Sequence, residues 1–320
     1  PPLPCCQSPL KERLLATERE LNRRIRSVRN ISQVTSALSA VSAAKASKAQ
    51  KQVEASRDYA GKAYEILINL ASQPSVGEAR HPLLTPRDEI KNSAVVVITG
   101  DRGLAGAYNA NIVSYAERFI RALPQPTRVI SVGRKGHSLL VRRGYNVVAL
   151  FDNIPDEPTL YGIKPIVEVV IHDYLSGEVD DVFIAYTDFV NLVTREMTVR
   201  QLLPLKPLDL EAMAVSEYVS RADVEAAAAR VYNYEPDAEA ILNEVVPRFT
   251  ELQIYQAVLE AKASEHSARM VAMNNATDNA GELIDYLILE RNKARQASIC
   301  LLYTSPSPRD RTRSRMPSSA

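Results

Sequence analysis

Three glycines that follow an apolar run are the residues most able to do chemistry in this chain. Residues 97–111 read VITGDRGLAGAYNAN. A strand, a glycine loop and a helix in this order can form a phosphate cradle, because backbone N–H groups at a helix N-terminus bind anions. The loop places Gly100, Gly103 and Gly106 beside two charged residues, Asp101 and Arg102. The first question is therefore whether this loop holds a nucleotide.

The spacing of these glycines fits neither common phosphate-binding motif. It is G-x-x-G-x-x-G, whereas dinucleotide folds use G-x-G-x-x-G with an acidic residue at the end of the next strand. The next strand here, RVISVG, is followed by basic residues, and Ala107 and Tyr108 replace the Lys-Ser/Thr pair of a Walker A loop. The sequence therefore favours a structural loop, in which glycines permit a tight turn and close packing. Asp101 and Arg102 then pair with each other or brace the loop.

Other catalytic patterns are weaker still. The chain has neither a G-x-S-x-G elbow nor an H-E-x-x-H helix, and its histidines and cysteines lack the spacing of metal ligands. Asp180 and Asp181 begin a strand, and we expect them to be solvated, with a functional carboxylate pair as the lesser alternative. His266 follows a helical seam, which predicts a packed, hydrogen-bonded histidine. The sequence thus predicts no catalytic residue, no metal and no cofactor.

The composition favours helices and gives no sign of a membrane span. Hydrophobic residues make up 46% of the 320 residues, aromatic residues only 6%, and tryptophan is absent. Such alanine-rich chains favour long helices that pack closely. No apolar run approaches the ~18 residues that cross a bilayer, and no hydrophobic signal leads the chain, so we expect a cytoplasmic protein. The net charge of +1 gives no reason to expect binding to nucleic acid.

Long helices are predicted at both ends of the chain. Between Pro9 and Pro74 there is no proline, so one helix of roughly 55 residues, about 80 Å long, is expected. Ile31, Val34, Leu38 and Val41 have the spacing of an apolar stripe on this helix. Near the C-terminus, positions taken alternately three and four apart from 249 to 287 are mostly apolar, which indicates a coiled-coil seam. We expect the two helices to pack antiparallel.

Residues 94–203 alternate between strand and helix patterns, which predicts a small α/β domain with a mostly parallel sheet. The predicted fold class is therefore α/β plus coiled coil: long N- and C-terminal helices in an antiparallel coiled coil with an inserted, small Rossmann-like α/β domain. The predicted segments are an N-terminal helix, the α/β domain, a connection with a foot, and a C-terminal helix, at 16–75, 76–210, 211–237 and 238–299. Residues 1–15 and 300–320 are predicted to be a non-native leader and tail.

Five blocks together resemble the gamma subunit of bacterial F-type ATP synthases, the central rotor shaft. They lie at 23–45, 97–112, 202–205, 232–249 and 263–299, and the likeness extends over about 17–299. The resemblance implies a non-catalytic subunit, present once per complex, that transmits rotation between the membrane c-ring and the catalytic alpha/beta ring and couples proton flow to ATP synthesis. It implies the alpha, beta, epsilon and c subunits as partners, without nucleic acid. The implied place is the cytoplasmic face of the bacterial plasma membrane, without membrane insertion.

The same resemblance implies which side chains contact these partners. Arg295 and Gln296, in NKARQ, would contact the beta subunits. Further contacts to acidic loops of the ring would come from basic residues of the N-terminal helix, namely Arg24, Arg26 and Lys45. The foot on the c-ring would be formed by residues of YNYEPD, namely Tyr232, Tyr234 and Glu235.

The family helix continues where this chain changes at Cys300 to a Ser/Pro/Arg-rich stretch without an apolar period. We expect these residues not to extend the coil. Two other classes remain open on the sequence. One is a small α/β nucleotide-binding enzyme with helical arms, and the other is a basic coiled-coil scaffold for nucleic acid, which the lack of aromatic residues among the basic ones disfavours.

Overall fold

A computed structural model describes residues 18–71, 81–87, 89–192, 194–205 and 238–304. Helix α1 spans Glu18–Ala71 and helix α5 spans Ala238–Thr304, which confirms a long helix at each end. Helix α5 contains Pro247 and continues past Cys300 to Thr304, although the sequence predicts that residues from Cys300 onward do not extend the coil. The domain boundaries predicted from the sequence stay predictions.

The residues between these helices form a five-stranded sheet. Its order is β3-β2-β1-β4-β5, in which the first four strands run parallel and β5 is antiparallel to β4. The mostly parallel sheet is thus confirmed. In chain order the elements are β1 Ser93–Ile98, α2 Tyr108–Ala122, β2 Thr127–Val132, α3 Arg134–Arg142, β3 Val147–Phe151, α4 Leu160–Leu175, β4 Asp181–Phe189 and β5 Arg195–Leu203.

The sheet is covered on both faces, which explains why β1 is a continuous apolar run. All six residues of β1 are buried. Val95 and Val97 face a cluster built with α2 and α3, while Val96 and Ile98 belong to a cluster built with α4 and α5. Helix α5 is therefore part of the core of the sheet domain as well as a terminal helix.

The chain divides into two compact units. The first comprises residues up to Leu38 together with those from Met273 onward, and the second is Ser39–Ala272. In the first unit, Leu21 and Ile25 of α1 pack with Leu287 of α5. The hydroxyls of Thr35 and Thr277 lie 2.7 Å apart. Earlier residues of α1 thus meet later residues of α5, so the helices are antiparallel here.

The second unit shows the same direction of packing between its own parts of the two helices. Ala49 and Val53 of α1 form a cluster with Leu259 and Ala263 of α5 and with Phe189 at the end of β4. Ser39, earlier in α1, donates its hydroxyl to the carbonyl of Met270, later in α5, at 3.5 Å. Within this unit, too, the two helix segments therefore run antiparallel.

The predicted apolar stripe on α1 is wrong about which residues are buried. Ile31, Val34 and Val41 are 53%, 59% and 53% exposed. The buried positions follow the same three-four spacing but carry mostly small side chains, at Leu21, Ile25, Thr35, Ser39, Ser42, Ala46, Ala49 and Val53. Small residues allow close approach of a second helix, which the larger β-branched side chains would prevent. The predicted seam of α5 is confirmed at most of its positions, including Leu252, Leu259, Ala263, His266, Met273, Ala280 and Leu287.

Candidate functional site

In the loop between β1 and α2, the backbone N–H and carbonyl of Gly100 form hydrogen bonds with other residues of the chain. The N–H of Gly100 donates to Oδ1 of Asn109 at 2.8 Å. The carbonyl of Gly100 accepts the N–H of Lys135, at the start of α3, at 3.2 Å. The two N–H groups that could bind a phosphate here, those of Gly100 and Lys135, therefore already donate within the chain, and these bonds hold α2 and α3 in place.

The space above Gly100 is filled by a carboxylate of the same chain. A Cβ added at Gly100 would lie 2.7 Å from the carboxyl group of Glu265, a buried residue of α5. Glu265 forms an ion pair with Arg269, one turn further along α5. Nε of Arg269 donates to the carbonyl of Gly103 at 3.3 Å. A negative group thus does lie at the glycine loop, but the protein supplies it.

Helix α5 also contacts the start of α2 and the carboxyl end of β4. In α/β sheets this edge, where the strand order reverses, is the usual crevice for ligands. Here Tyr108 donates its hydroxyl proton to the carbonyl of Ala261 at 2.9 Å. Ser264 donates to the carbonyl of Asp188 at 3.2 Å, and Ser267 donates to the carbonyl beyond β4 at Leu192. Residues 261–269 of α5 therefore take the place that a ligand takes in related architectures.

The room left in this crevice is small. The cavity lined by Thr99, Asp101, Lys262 and Glu265 has a volume of about 10 Å³. That is enough for one water molecule. A drug-sized ligand needs a pocket of about 300–1,000 Å³. The glycine loop, as it is packed here, does not form a nucleotide site.

The other residues of the loop support a structural role. The Asp101 carboxylate accepts the N–H of Arg134 at 3.1 Å, so it braces the start of α3. Arg102 is exposed. Gly106 has φ +59, a left-handed conformation that favours glycine, and a Cβ there would lie 3.6 Å from that of Ala272. Of the alternatives for Asp101, bracing the loop is the one observed.

A second buried acid lies on α5 against the end of the sheet. Glu260 faces Asp188 of β4 and Arg200 of β5. Burial and the nearby charge of Asp188 raise the pKa of Glu260 to about 7, although Arg200 opposes this shift. Nε2 of Gln256 donates to Glu260 Oε1 at 3.1 Å. Glu260 and Glu265 were not predicted as site residues, because their only signal in the sequence is that they are acidic residues in a helix of small and apolar ones.

The expectation that Asp180 and Asp181 are solvated is wrong, because both are buried. Asp180 binds Arg87 Nη1 at 2.6 Å and accepts the N–H groups of Lys91 and Asn92 at 2.7 and 3.0 Å. Burial raises the pKa of Asp180, but these hydrogen bonds and the charge of Arg87 outweigh it, so the net pKa is lowered. This carboxylate fixes the residues that lead into β1.

Four of the five residues assigned to the surrounding ring, Arg24, Arg26, Arg295 and Gln296, lie on exposed helix surface in the first unit. Arg295 and Gln296 follow Ala294, which packs against the Leu21 cluster. Within the ranges that the structure covers, the side chains of Arg295, Gln296 and Arg26 make no hydrogen bond or ion pair. Arg24 pairs with Glu20 on its own helix at 2.7 Å. Side chains at the end of α5 are therefore available for a partner.

Lys45 belongs to the second unit and already has a partner there. Its Nζ lies 2.7 Å from Oδ2 of Asp156, in the loop after β3. A contact of Lys45 with another subunit would have to replace or share this ion pair. Tyr232, Tyr234 and Glu235, the predicted foot, lie outside the described residues.

Comparison with known proteins identifies the family. The family model described as ATP synthase matches residues 17–300. The ATP synthase gamma chain of Roseiflexus castenholzii is 42% identical over 288 residues, which cover 89% of this chain and 94% of that relative. The ATP synthase gamma chain of Dehalococcoides mccartyi is 43% identical over 245 residues, or 77% of this chain and 81% of the relative.

The fold has a counterpart among solved structures. A chain from the central stalk and c-ring of the Tetrahymena thermophila mitochondrial ATP synthase matches 76% of this chain with a TM-score of 0.56, and 99% of that chain is covered. Its sequence identity of 24% supports the fold alone. These comparisons agree with the resemblance seen in the sequence. Because the family model matches residues 17–300 and both gamma chains are more than 40% identical, the chain belongs to the ATP synthase gamma-chain family.

Proposed function

We propose that this chain turns as the central shaft of a proton-translocating ATP synthase and carries rotation between the membrane c-ring and the catalytic alpha/beta ring. As a gamma chain it is a non-catalytic subunit of the central stalk. The observation that supports the mechanical role is helix α5. This single helix of 67 residues forms part of the core of the sheet domain and also packs antiparallel against α1 in the first unit.

A shaft must resist twisting, and the buried surfaces of α5 provide that resistance. Its segment 246–261 contributes Val246, Phe249, Ile254 and Val258 to the largest core cluster. Cores are packed as densely as organic crystals and deform little. A torque applied to the sheet domain therefore reaches α5 through close contacts.

The exposed polar end of α5 fits a role in contacting the ring. We assign Arg295 and Gln296 to contacts with the beta subunits, and Arg24 and Arg26 to its acidic loops, because these side chains are exposed. Arginine is well suited to such contacts, since its guanidinium binds carboxylates with two parallel hydrogen bonds. Lys45 would join them by donating to an acid of the ring while it keeps its ion pair with Asp156, since a lysine ammonium has three donors. Tyr232, Tyr234 and Glu235 would rest on the c-ring.

The same proposal gives the subunit its place in the cell. None of the helices in the described ranges is both long and apolar enough to cross a membrane. We assign the chain to the cytoplasmic face of the bacterial plasma membrane, held there through the c subunits and accompanied by epsilon. One copy per complex follows, because a single shaft serves the ring.

The test is reconstitution of the complete chain with the alpha, beta, epsilon and c subunits in vesicles. We expect one copy to join each complex and to support ATP synthesis driven by a proton gradient. Failure of the chain to join the ring, or tight nucleotide binding at the glycine loop of the chain alone, would contradict the proposal and favour the nucleotide-binding alternative.

The ring contact has its own matched variant. Arg295→Ala with Gln296→Ala should assemble but lose coupled synthesis roughly ten-fold, the effect of losing 1–2 kcal/mol at an interface anchor. Glu282→Ala is the control, because Glu282 is exposed on the same helix and lies 13 residues, or about 20 Å, before Arg295. If the double variant couples as well as the control, the assignment of these two residues is wrong.

A further inference from the structure

The loop after β3, residues 152–159, carries two acids that bind helix α1. Asp156 Oδ2 lies 2.7 Å from Lys45 Nζ, and Glu157 Oε1 lies 2.5 Å from Lys48 Nζ. Residues three apart lie on one face of a helix, so both lysines point toward the loop. This stretch of α1 is thus tied to the sheet domain by a pair of adjacent ion pairs.

The same loop binds helix α5. Nζ of Lys262 donates to the carbonyl of Ile154 at 3.1 Å. Nε2 of His266, one turn later on the same face, lies 3.3 Å from Oδ1 of Asp156. The carboxylate of Asp156 therefore has one oxygen against each long helix.

Charge favours the ionised form of this carboxylate. Partial burial raises the pKa of Asp156, but the hydrogen bond from Lys45 and the positive charges of Lys45 and Lys262 outweigh that effect, and the net pKa is lowered. Asp156 is therefore negative at neutral pH, as its ion pair with Lys45 requires. Burial lowers the pKa of His266, so at neutral pH its ring lies against Asp156 mainly in the neutral form.

The packing between the helices explains why such a contact matters. In the second unit α1 meets α5 through a cluster in which the small Ala49 and Ala263 lie beside Val53 and Leu259. Small side chains permit close approach, but they interlock less than large ones and resist sliding of one helix along the other only weakly. A polar group that binds a defined position on each helix would fix their register.

We propose that residues 154–157 form a clamp that locks α1 and α5 in register on the sheet domain, with Asp156 as its central positioning residue. The inference rests on the proposed rotor function and adds the route of force to α1. Through the clamp, rotation of the sheet domain moves both helices together. Without the clamp, α1 could slide along α5 before it followed the rotation. The ion pairs are largely exposed, so salt weakens the clamp.

The first test is Asp156→Asn in the complete chain, read by hydrogen exchange of the backbone amides of residues 42–53. Losing one exposed ion pair should speed their exchange roughly two- to five-fold. Glu168→Gln is the control, because Glu168 is an exposed acid of α4 whose only described ion pair, with Lys164, is 3.9 Å long. Equal exchange rates in the Asp156→Asn variant and the unchanged chain would overturn the clamp.

A charge reversal separates the ion pair from any effect of loop folding. Lys45→Asp and Asp156→Lys should each speed exchange in 42–53, and the two together should restore much of the protection, as coupled residues do. If the amides of the double variant exchange as fast as those of the faster single variant, the ion pair does not fix the register of the helices and the proposal fails.

The functional readout is protons pumped per ATP hydrolysed in the reconstituted complex. We expect Asp156→Asn to keep ATP hydrolysis but pump fewer protons per ATP, and more so at high salt. An unchanged ratio would overturn the role of the clamp in transmitting force. If the unchanged chain itself fails to join the complex, the rotor function is wrong, and the exchange experiments still decide whether the clamp exists.

Discussion

Two regions of the molecule differ in what their polar groups bind. One is the glycine loop packed against residues 261–269 of α5, and the other is the exposed end of α5 around Arg295. At the loop, Gly100, Asp101 and Glu265 all bind groups of the same chain. At the end of α5, Arg295 and Gln296 are exposed and bind none of the described residues. The loop resembles an active site in sequence, whereas the helix end has the sequence of an ordinary solvated surface.

This difference indicates where partners bind. A buried polar group without a partner costs about 1–3 kcal/mol, so a crevice whose polar groups bind one another is stabilised as structure and gains little from a ligand. Exposed arginine and glutamine side chains are bound to water and can exchange it for another subunit. The enzyme-like loop thus serves packing, and we place the contact with catalytic subunits on the plain helix end.

Glu265→Ala should produce the largest effect, because it leaves Arg269 and Lys262 without their buried acid. Removing one partner of a buried ion pair costs about 3–5 kcal/mol of unfolding free energy. Urea unfolding of the complete chain measures this, and exposed Glu282 supplies the control, whose replacement by Ala should change stability by less than about 0.5 kcal/mol. A similar small loss for Glu265→Ala would mean that the crevice is not held together by this carboxylate.

Glu260→Gln should change how stability depends on pH. Because the folded pKa, about 7, is above the ordinary value of 4.5, the neutral carboxyl stabilises the fold fully below pH 4.5, and this contribution is lost as pH rises through 7. The variant should lack this loss, and above pH 7 it should be more stable than the unchanged chain by on the order of 2–3 kcal/mol. Parallel curves of unfolding free energy against pH for the two chains would contradict the buried, protonated state of Glu260.

Gly100→Ala tests the glycine loop itself. Its Cβ would meet the held carboxylate of Glu265 at 2.7 Å, so overpacking should cost about 1–3 kcal/mol. At Gly103 the nearest atom to an added Cβ is 3.8 Å away, on the flexible side chain of Lys135, so Gly103→Ala is the matched control and should cost less. Equal melting temperatures for the two variants would show that the loop can move away from α5.

Arg295→Ala with Gln296→Ala should have the smallest effect on stability, within about 0.5 kcal/mol, as for other surface substitutions. Thermal unfolding of the chain alone measures it beside the coupling assay. A large loss of stability would mean that these residues serve packing, and the contrast between the two regions would then disappear.

Much of the fold could be predicted from sequence patterns. The absence of proline and the three-four spacing predicted the two long helices, and the alternation of strand and helix patterns predicted the parallel sheet. The buried face of α1 could not be predicted by seeking its largest apolar residues. Ile31 and Val34 are exposed because the close approach of α5 selects small side chains such as Thr35 in the first unit.

The candidate site was predictable in part. The glycine spacing already argued against a nucleotide, because it fails both phosphate motifs. What fills the loop was not predictable, since Glu265 lies 165 positions from Gly100 and nothing local links them. Asp180 was misjudged for the same reason, because its partner Arg87 is 93 positions away.

By itself the sequence determined the helical and strand segments, the mostly apolar seam of α5 and the family, because these depend on local periodicity and on stretches of residues that can be matched directly. Only the tertiary structure decided that α5 fills the ligand crevice, that Asp156 lies against both helices, and that Glu260 faces Asp188. These contacts join residues distant in the chain, and their burial, charge and pKa values exist only once the fold has brought them together.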